Sequence, residues 1–194
     1  MTNLSIMIVG VGGQGSLLAS KMIGTVAMKK NYDVKVSEVH GMSQRGGSVV
    51  TYVKLGEKVN SPLIEQKSAD IIMSFEKLEA LRWIDYLKED GKLIINDQRI
   101  DPMPVIIGKE KYPEGIIEAI KDKCGDNVTS IDALQIAKDL GNIRVVNMIL
   151  IGILASKTSI EKEIWLEALK EVLPAKLHSI NEKAFEAGYN FAAK

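Results

Sequence analysis

The chain opens on an apolar run, Ile6 to Val9, short and rich in β-branched residues, that stops at a cluster of glycines. From Ser16 to Lys30 the spacing changes. Leu17, Leu18, Met22, Ile23 and Val26 recur at helical intervals, with Lys29 and Lys30 closing the segment. Strand, glycine turn and helix therefore follow one another at the start. Val34 to Glu38 reads as a second strand and Val49 to Leu55, between Gly46-Gly47 and Gly56, as a third. Ala69 to Ser74 reads as a buried strand and Leu78 to Leu87 as a helix. Lys92 to Asn96 reads as a strand after an Asp90-Gly91 turn, and Val105 to Ile107 as a short strand between prolines and Gly108. From Ile131 onward the pattern is mainly helical, in segments near Ala133–Leu140, Val145–Ser156, Ile160–Leu173 and Ala175–Ala192.

Strands alternating with helices predict an α/β sandwich around a mostly parallel sheet, with a helical C-terminal tail. The length of 194 residues favours one domain over residues 1–194, its α/β part spanning about 1–130 and its tail about 131–194. Val145 to Ala155 is apolar around most of its circumference and is expected to be covered on several sides. The helices Val145–Ser156 and Ile160–Leu173 are also the candidates for apolar surface that a subunit would expose when isolated.

Composition narrows the chemistry. Lys plus Arg and Asp plus Glu both count 25, so no positive field points to nucleic acid. No apolar stretch reaches the ~20 residues of a membrane span, and the start lacks a basic segment ahead of its apolar run, so a cytoplasmic protein is expected. The single cysteine, Cys124, excludes an internal disulfide and a cluster held by four thiolates of this chain. Two histidines, His40 and His178, are too few for a zinc site, and no metal is expected. Cys124 reads as an inert thiol and His178 as structural or surface.

Gly10, Gly12 and Gly15 of GVGGQG satisfy G-x-G-x-x-G between strand and helix, where backbone amides and a helix N-terminus receive an anion. Glu38, closing the second strand, stands where a dinucleotide fold binds its ribose. The next residues, from His40 to Gly47, form a polar loop with three glycines, an imidazole and a guanidinium. If the first two strands run parallel, both loops leave the carboxyl edge of the sheet and face one crevice. Read from residues alone, a stand-alone NAD(P)-dependent dehydrogenase and a nucleotide-binding module remain open as alternatives.

GVGGQGSLLASKMIG and SEVHGMSQRGGSV, with SPLI at Ser61–Ile64 and SFEKLEALR at Ser74–Arg82, resemble the gamma subunit or domain of the 2-oxoacid:ferredoxin oxidoreductases. The resemblance is nearest to the beta subunit of the indolepyruvate ferredoxin oxidoreductases and covers roughly residues 4 to 100. It implies a Rossmann-like three-layer sandwich that serves as an accessory subunit of a complex that oxidatively decarboxylates a 2-oxo acid, indolepyruvate or another aryl pyruvate, forms acyl-coenzyme A and reduces ferredoxin. Thiamine diphosphate does the carbanion chemistry in such enzymes. The family's thiamine signature, Gly-Asp-Gly followed by Asn, is matched neither by EDGK at Glu89–Lys92 nor by CGDN at Cys124–Asn127.

Thiamine diphosphate and iron–sulfur clusters are therefore expected on a large partner subunit, with ferredoxin reached through it and the isolated chain inactive. No cofactor is expected to bind this chain tightly, coenzyme A being the one it could contact. Carried over residue by residue, Gly10, Gly12, Gly13, Gln14 and Gly15 become anion contacts. His40, Ser43, Gln44, Arg45, Gly46 and Gly47 line the active-site side, with His40 and Arg45 the candidates for a catalytic part. Arg45 suits a diphosphate because its guanidinium is a fixed fork of donors, a fork that suits a partner's carboxylate equally. Glu76 is a candidate interface residue.

Overall fold

The computed structural model describes residues 3–40 and 47–192. In chain order the elements are β1 (Leu4–Val11), α1 (Ser16–Lys29), β2 (Asp33–His40), β3 (Ser48–Gly56), β4 (Ala69–Ser74), α2 (Lys77–Trp83), β5 (Leu87–Asn96), α3 (Met103–Ile106), α4 (Ile116–Cys124), β6 (Val128–Ile131), α5 (Ala133–Asp139), α6 (Val146–Ser156), α7 (Lys162–Val172) and α8 (His178–Phe191). The six strands form one sheet in the order β2-β3-β1-β4-β5-β6. The pairings β1–β4, β4–β5 and β5–β6 are parallel, whereas β3 runs antiparallel to both β1 and β2. The sheet is thus mostly parallel with one reversed strand. Because β3 reverses twice, β1 and β2 point the same way, and their carboxyl ends share one edge.

The period-two alternation of β1 divides the core. Ile6 and Ile8 face a layer that contains α1, α5, α6, α7 and α8, while Met7 and Val9 face α2 and α4. Helices on both faces complete the three layers. Every residue from Asn147 to Ala155 of α6 is buried, as a helix without a polar face requires. It packs on α8 at a crossing where Gly152 and Gly188 admit backbone contact: a Cβ on Gly188 would lie 1.9 Å from the Ile149 carbonyl oxygen. The helical tail is therefore part of the main core.

Several expectations are corrected. Val105 to Ile107 is no strand. Pro102 caps and Pro104 opens the helical turn α3, whose Met103 and Ile106 are exposed, as is Ile107 beyond it. Asp90-Gly91 does not precede β5 but interrupts it, where pairing jumps from Ala69↔Leu87 to Ile71↔Lys92. The helix predicted to Leu87 gives way after Trp83 to a tighter turn. The sequence reading passed over α4 and β6. Finally, α6 offers no exposed apolar face and the buried side of α7 is covered, so the exposed apolar residues lie elsewhere: Leu17 and Met28 on α1, Val36 and Val39 on β2, and residues 103, 106 and 107.

Candidate functional site

The GVGGQG turn sits at the carboxyl edge where β1 passes into α1. Two of its glycines make room for neighbouring parts of the fold. A Cβ on Gly10 would meet the Gln14 side chain at 2.8 Å and Phe75 Cβ at 2.9 Å; one on Gly15 would meet Asn147 Nδ2 of α6 at 2.6 Å. Gly13 and Gly15 also hold φ of 98° and 97°, the left-handed region that disfavours any side chain.

Gln14 turns inward. Its Oε1 accepts from the Val11 amide at 2.7 Å and its Nε2 donates to the Phe75 carbonyl at 3.0 Å. Asn96 Nδ2 donates to the same carbonyl at 3.1 Å, so one oxygen ties together the ends of β1, β4 and β5.

The turn meets the residue that leads into β3, as the strand directions require. The Gly12 amide donates to the Gly47 carbonyl at 3.0 Å, bracing the turn against the foot of β3. A cleft of about 420 Å³ opens beside this bond, lined by Gly12, Gly13, Ser16, Leu17, Glu38 and Val49 among others. Leu17 stands at its mouth, 70% exposed. Helix α1 has no side-chain N-cap bond and no acid in its first turn, which leaves the positive end of its dipole on the cleft. Glu38 comes closest to complementing it: its carboxylate accepts from Ser16 Oγ at 3.4 Å and from Thr51 Oγ1 at 3.2 Å.

His40 closes β2 opposite Val49; Ser43, Gln44, Arg45 and Gly46 lie outside the described residues. Gly10, Gly12, Gly13, Gln14, Gly15 and Gly47 come together at this edge.

This geometry speaks against the dinucleotide alternative. In a dinucleotide-binding fold the second strand pairs directly with the first, placing its terminal acid over the glycine turn. Here β3 stands between β1 and β2, and Glu38 is engaged by hydroxyls of α1 and β3. The described lining of the cleft also carries one carboxylate and no cation, so for a diphosphate it supplies only neutral donors, amides and the Ser16 hydroxyl; Arg45 is the one Lys or Arg of the adjoining segment. The described residues do not fit the metal of thiamine diphosphate, and a single cysteine does not fit the clusters. The chain has one cysteine, and the described residues hold no group of three or more His, Cys, Asp or Glu able to ligate a metal.

On the other face of the same turn lies a cavity of about 350 Å³ that sequence reasoning missed, lined by Val11, Gly47, Ser48, Glu76, Glu79 and Arg82 among others. Glu76 is 1% exposed and caps α2, its Oε2 accepting from the Glu79 amide at 3.0 Å. Its Oε1 accepts from Tyr112 Oη at 2.5 Å and from the Ile100 amide at 3.2 Å. An interface role for Glu76 therefore gives way to an internal one. The Tyr112 phenol is pushed far above its ordinary range, by burial first and then by its bond to Glu76.

Glu79, 5% exposed, accepts from Ser48 Oγ at 2.5 Å and lies 3.3 Å from Arg82 Nε. Burial raises its carboxyl above the usual range, with the Glu76 charge adding to the rise and Ser48 and Arg82 opposing it. The only signal in sequence was the Glu-x-x-Glu spacing at the start of a helix. Elsewhere His178 Nε2 is bonded to the Leu173 carbonyl at 2.8 Å, and burial raises the Cys124 thiol above its ordinary range.

Residues 5–191 match the family model described as pyruvate ferredoxin/flavodoxin oxidoreductase. The indolepyruvate oxidoreductase subunit IorB of Thermococcus kodakarensis is 39% identical over 196 residues, covering 99% of this chain and 97% of that protein. The crystal structure of a keto/oxoacid ferredoxin oxidoreductase gamma subunit from Geobacter sulfurreducens superimposes with a TM-score of 0.73 at 21% identity, covering 98% of each chain. The 2-oxoglutarate:ferredoxin oxidoreductase of Magnetococcus marinus, solved with 2-oxoglutarate, coenzyme A and succinyl-CoA bound, contains the same fold at a TM-score of 0.74 and 18% identity. There this chain matches 31% of a longer polypeptide.

Proposed function

The chain belongs to the pyruvate ferredoxin/flavodoxin oxidoreductase family as a gamma-type small subunit, and on that premise we propose that its glycine-lined cleft forms one wall of an active site completed by a large partner subunit. The substrate of the proposed complex is indolepyruvate or another aryl pyruvate, the product an acyl-coenzyme A, and the electrons pass to ferredoxin. The observation that carries the reading is the Gly12–Gly47 bond. It fixes the GVGGQG turn and the exit of the His40–Gly47 segment as one surface at the sheet edge where α/β folds bind ligands.

Thiamine diphosphate supplies the electron sink of such decarboxylations; the described residues hold no group able to ligate its metal, and one cysteine is too few for the clusters. Both are assigned to the partner. What this chain contributes is a wall: left-handed glycines bring backbone close to the ligand, α1 presents its N-terminal amides, and Leu17 covers the mouth against water. Arg45 brings the positive charge that the described lining lacks, and with it a contact for the coenzyme A diphosphate. No helix among the described residues is long and apolar enough to cross a membrane. We place the complex in the cytoplasm, where the lone thiol stays reduced.

The test is reconstitution. The isolated chain, given an aryl pyruvate, coenzyme A and a low-potential electron acceptor, is expected to show no turnover, and addition of the large subunit to restore it. In the complex, Arg45→Ala should raise the apparent KM for coenzyme A roughly tenfold or more, as befits a lost hydrogen bond to a charged group at about 1.5–3 kcal/mol. A lower yield of assembled complex at unchanged KM assigns Arg45 to the subunit contact instead. Turnover by the isolated chain, or tight NADH binding that depends on Gly12 and Glu38, overturns the proposal.

A further inference from the structure

We infer that Glu79 is a positioning residue for the cleft: by holding Ser48 it fixes the Gly47 carbonyl that receives the Gly12 amide, and so sets the spacing between the GVGGQG turn and the foot of β3. The inference rests on the reading of that cleft as part of a shared active site. Three links join helix α2 to the GVGGQG turn. Ser48 Oγ donates to Glu79 Oε2 at 2.5 Å, Ser48 follows Gly47 in the chain, and the Gly47 carbonyl accepts from Gly12 at 3.0 Å.

A buried carboxylate needs a reason, because burial disfavours its charged form and an apolar side chain would pack there at lower cost. The cap of helix α2 does not supply one. That cap is Glu76, and the capping bond uses the Glu79 backbone amide and not its side chain. Arg82 reaches the other carboxylate oxygen at 3.3 Å but is half exposed, so it steadies Glu79 more than it requires it. The remaining partners are the Trp83 indole, on the same helix, and Ser48, the one that ties Glu79 to another element. A carboxylate only accepts, so the hydroxyl must donate to it, and that fixes where Ser48 and the preceding carbonyl stand. The cavity alongside leaves room for the foot of β3 to shift once the bond is lost.

Hydrogen exchange at the Gly12 amide of the isolated chain reads the link directly. Ser48→Ala and Glu79→Leu should each speed it about five- to tenfold, the value of one ordinary hydrogen bond, while the amides of Ile72 and Ile94 keep wild-type protection. Glu79→Gln retains an acceptor oxygen and should stay within about twofold of wild type. In the reconstituted complex Ser48→Ala and Glu79→Leu should lower kcat/KM for coenzyme A by similar factors. The double variant should be no worse than the poorer single one, since both break one link.

Unchanged exchange at Gly12, acceleration of all amides alike, or losses that multiply in the double variant overturn the inference. If Gly12 responds but Glu79→Leu keeps wild-type kinetics while Arg45→Ala is impaired, the positioning role is wrong and the shared-site reading stands. If Arg45→Ala is also unimpaired in both KM and assembly, the shared-site reading has failed and the inference with it.

Discussion

Replacing Gln14 by alanine should destabilise the fold and leave coenzyme A use nearly unchanged, although Gln14 sits inside the motif that suggests ligand contact. The cost follows from two bonds of unequal weight. The Val11 amide, half-buried, loses its acceptor at 2.7 Å, and leaving such a donor unpaired costs about 1–3 kcal/mol. The Phe75 carbonyl loses the Gln14 donor but keeps Asn96 at 3.1 Å, so its share falls near the lower end for a hydrogen bond, about 0.5 kcal/mol. Releasing the ordered glutamine chain returns part of this as rotamer entropy.

A net loss of roughly 1–2 kcal/mol remains, a fall in Tm of about 2–8 °C for a chain of this size. Urea unfolding of the isolated chain should show a lower midpoint at unchanged slope. Gln14→Glu should be worse than alanine at neutral pH, because a second carboxylate oxygen would face the Phe75 carbonyl. A Gln14→Ala midpoint equal to wild type, together with a raised KM for coenzyme A in the complex, would refute the bracing role and return Gln14 to the ligand.

Gly188→Ala should destabilise by about 3 kcal/mol or more, since its Cβ would lie 1.9 Å from the Ile149 carbonyl oxygen and the roughly 1 kcal/mol gained in helix propensity cannot offset parting two buried helices; an unchanged unfolding midpoint refutes it. The raised Glu79 carboxyl means that folding favours its protonated form, so its contribution to stability is most favourable below 4.5 and is lost as pH rises through its higher folded value. Wild type should therefore gain stability relative to Glu79→Gln on acidification from pH 7 to 4, and a difference that does not change with pH counts against the assignment. The isolated chain is expected to self-associate through the edge strand β2, whose outer backbone row is open to pairing beside exposed Val36 and Leu17. Val36→Lys should shift sedimentation toward monomer, and a wild-type chain that is already monomeric at high concentration overturns the idea.

The class of fold was legible along the chain because burial imprints its period locally. Ile6 to Val9 reads as a strand covered on both faces, α1 shows its 3.6-residue spacing, and a run apolar all round such as Val145 to Ala155 can only be interior. The family was legible too, since HGMSQRGG and GVGGQG are contiguous. Elements whose identity rests on partners were less so: Val105 to Ile107 has strand composition but no neighbouring strand to pair with, and prolines start a helical turn in its place. Direction was not legible. That β3 enters antiparallel between β1 and β2 is written in no local pattern, yet it removes the dinucleotide geometry and brings Gly47 against Gly12 at one edge. The division of labour inside GVGGQG was hidden as well, because what a glycine or glutamine touches is settled by Phe75 and Asn147, 61 and 132 positions from their partners Gln14 and Gly15. The Glu79–Ser48 link, spanning 31 positions, has the same character. Periodicity records whether a side chain meets water, whereas hydrogen bonds and close approaches depend on which distant segment packing brings alongside, and only the assembled sheet decides that.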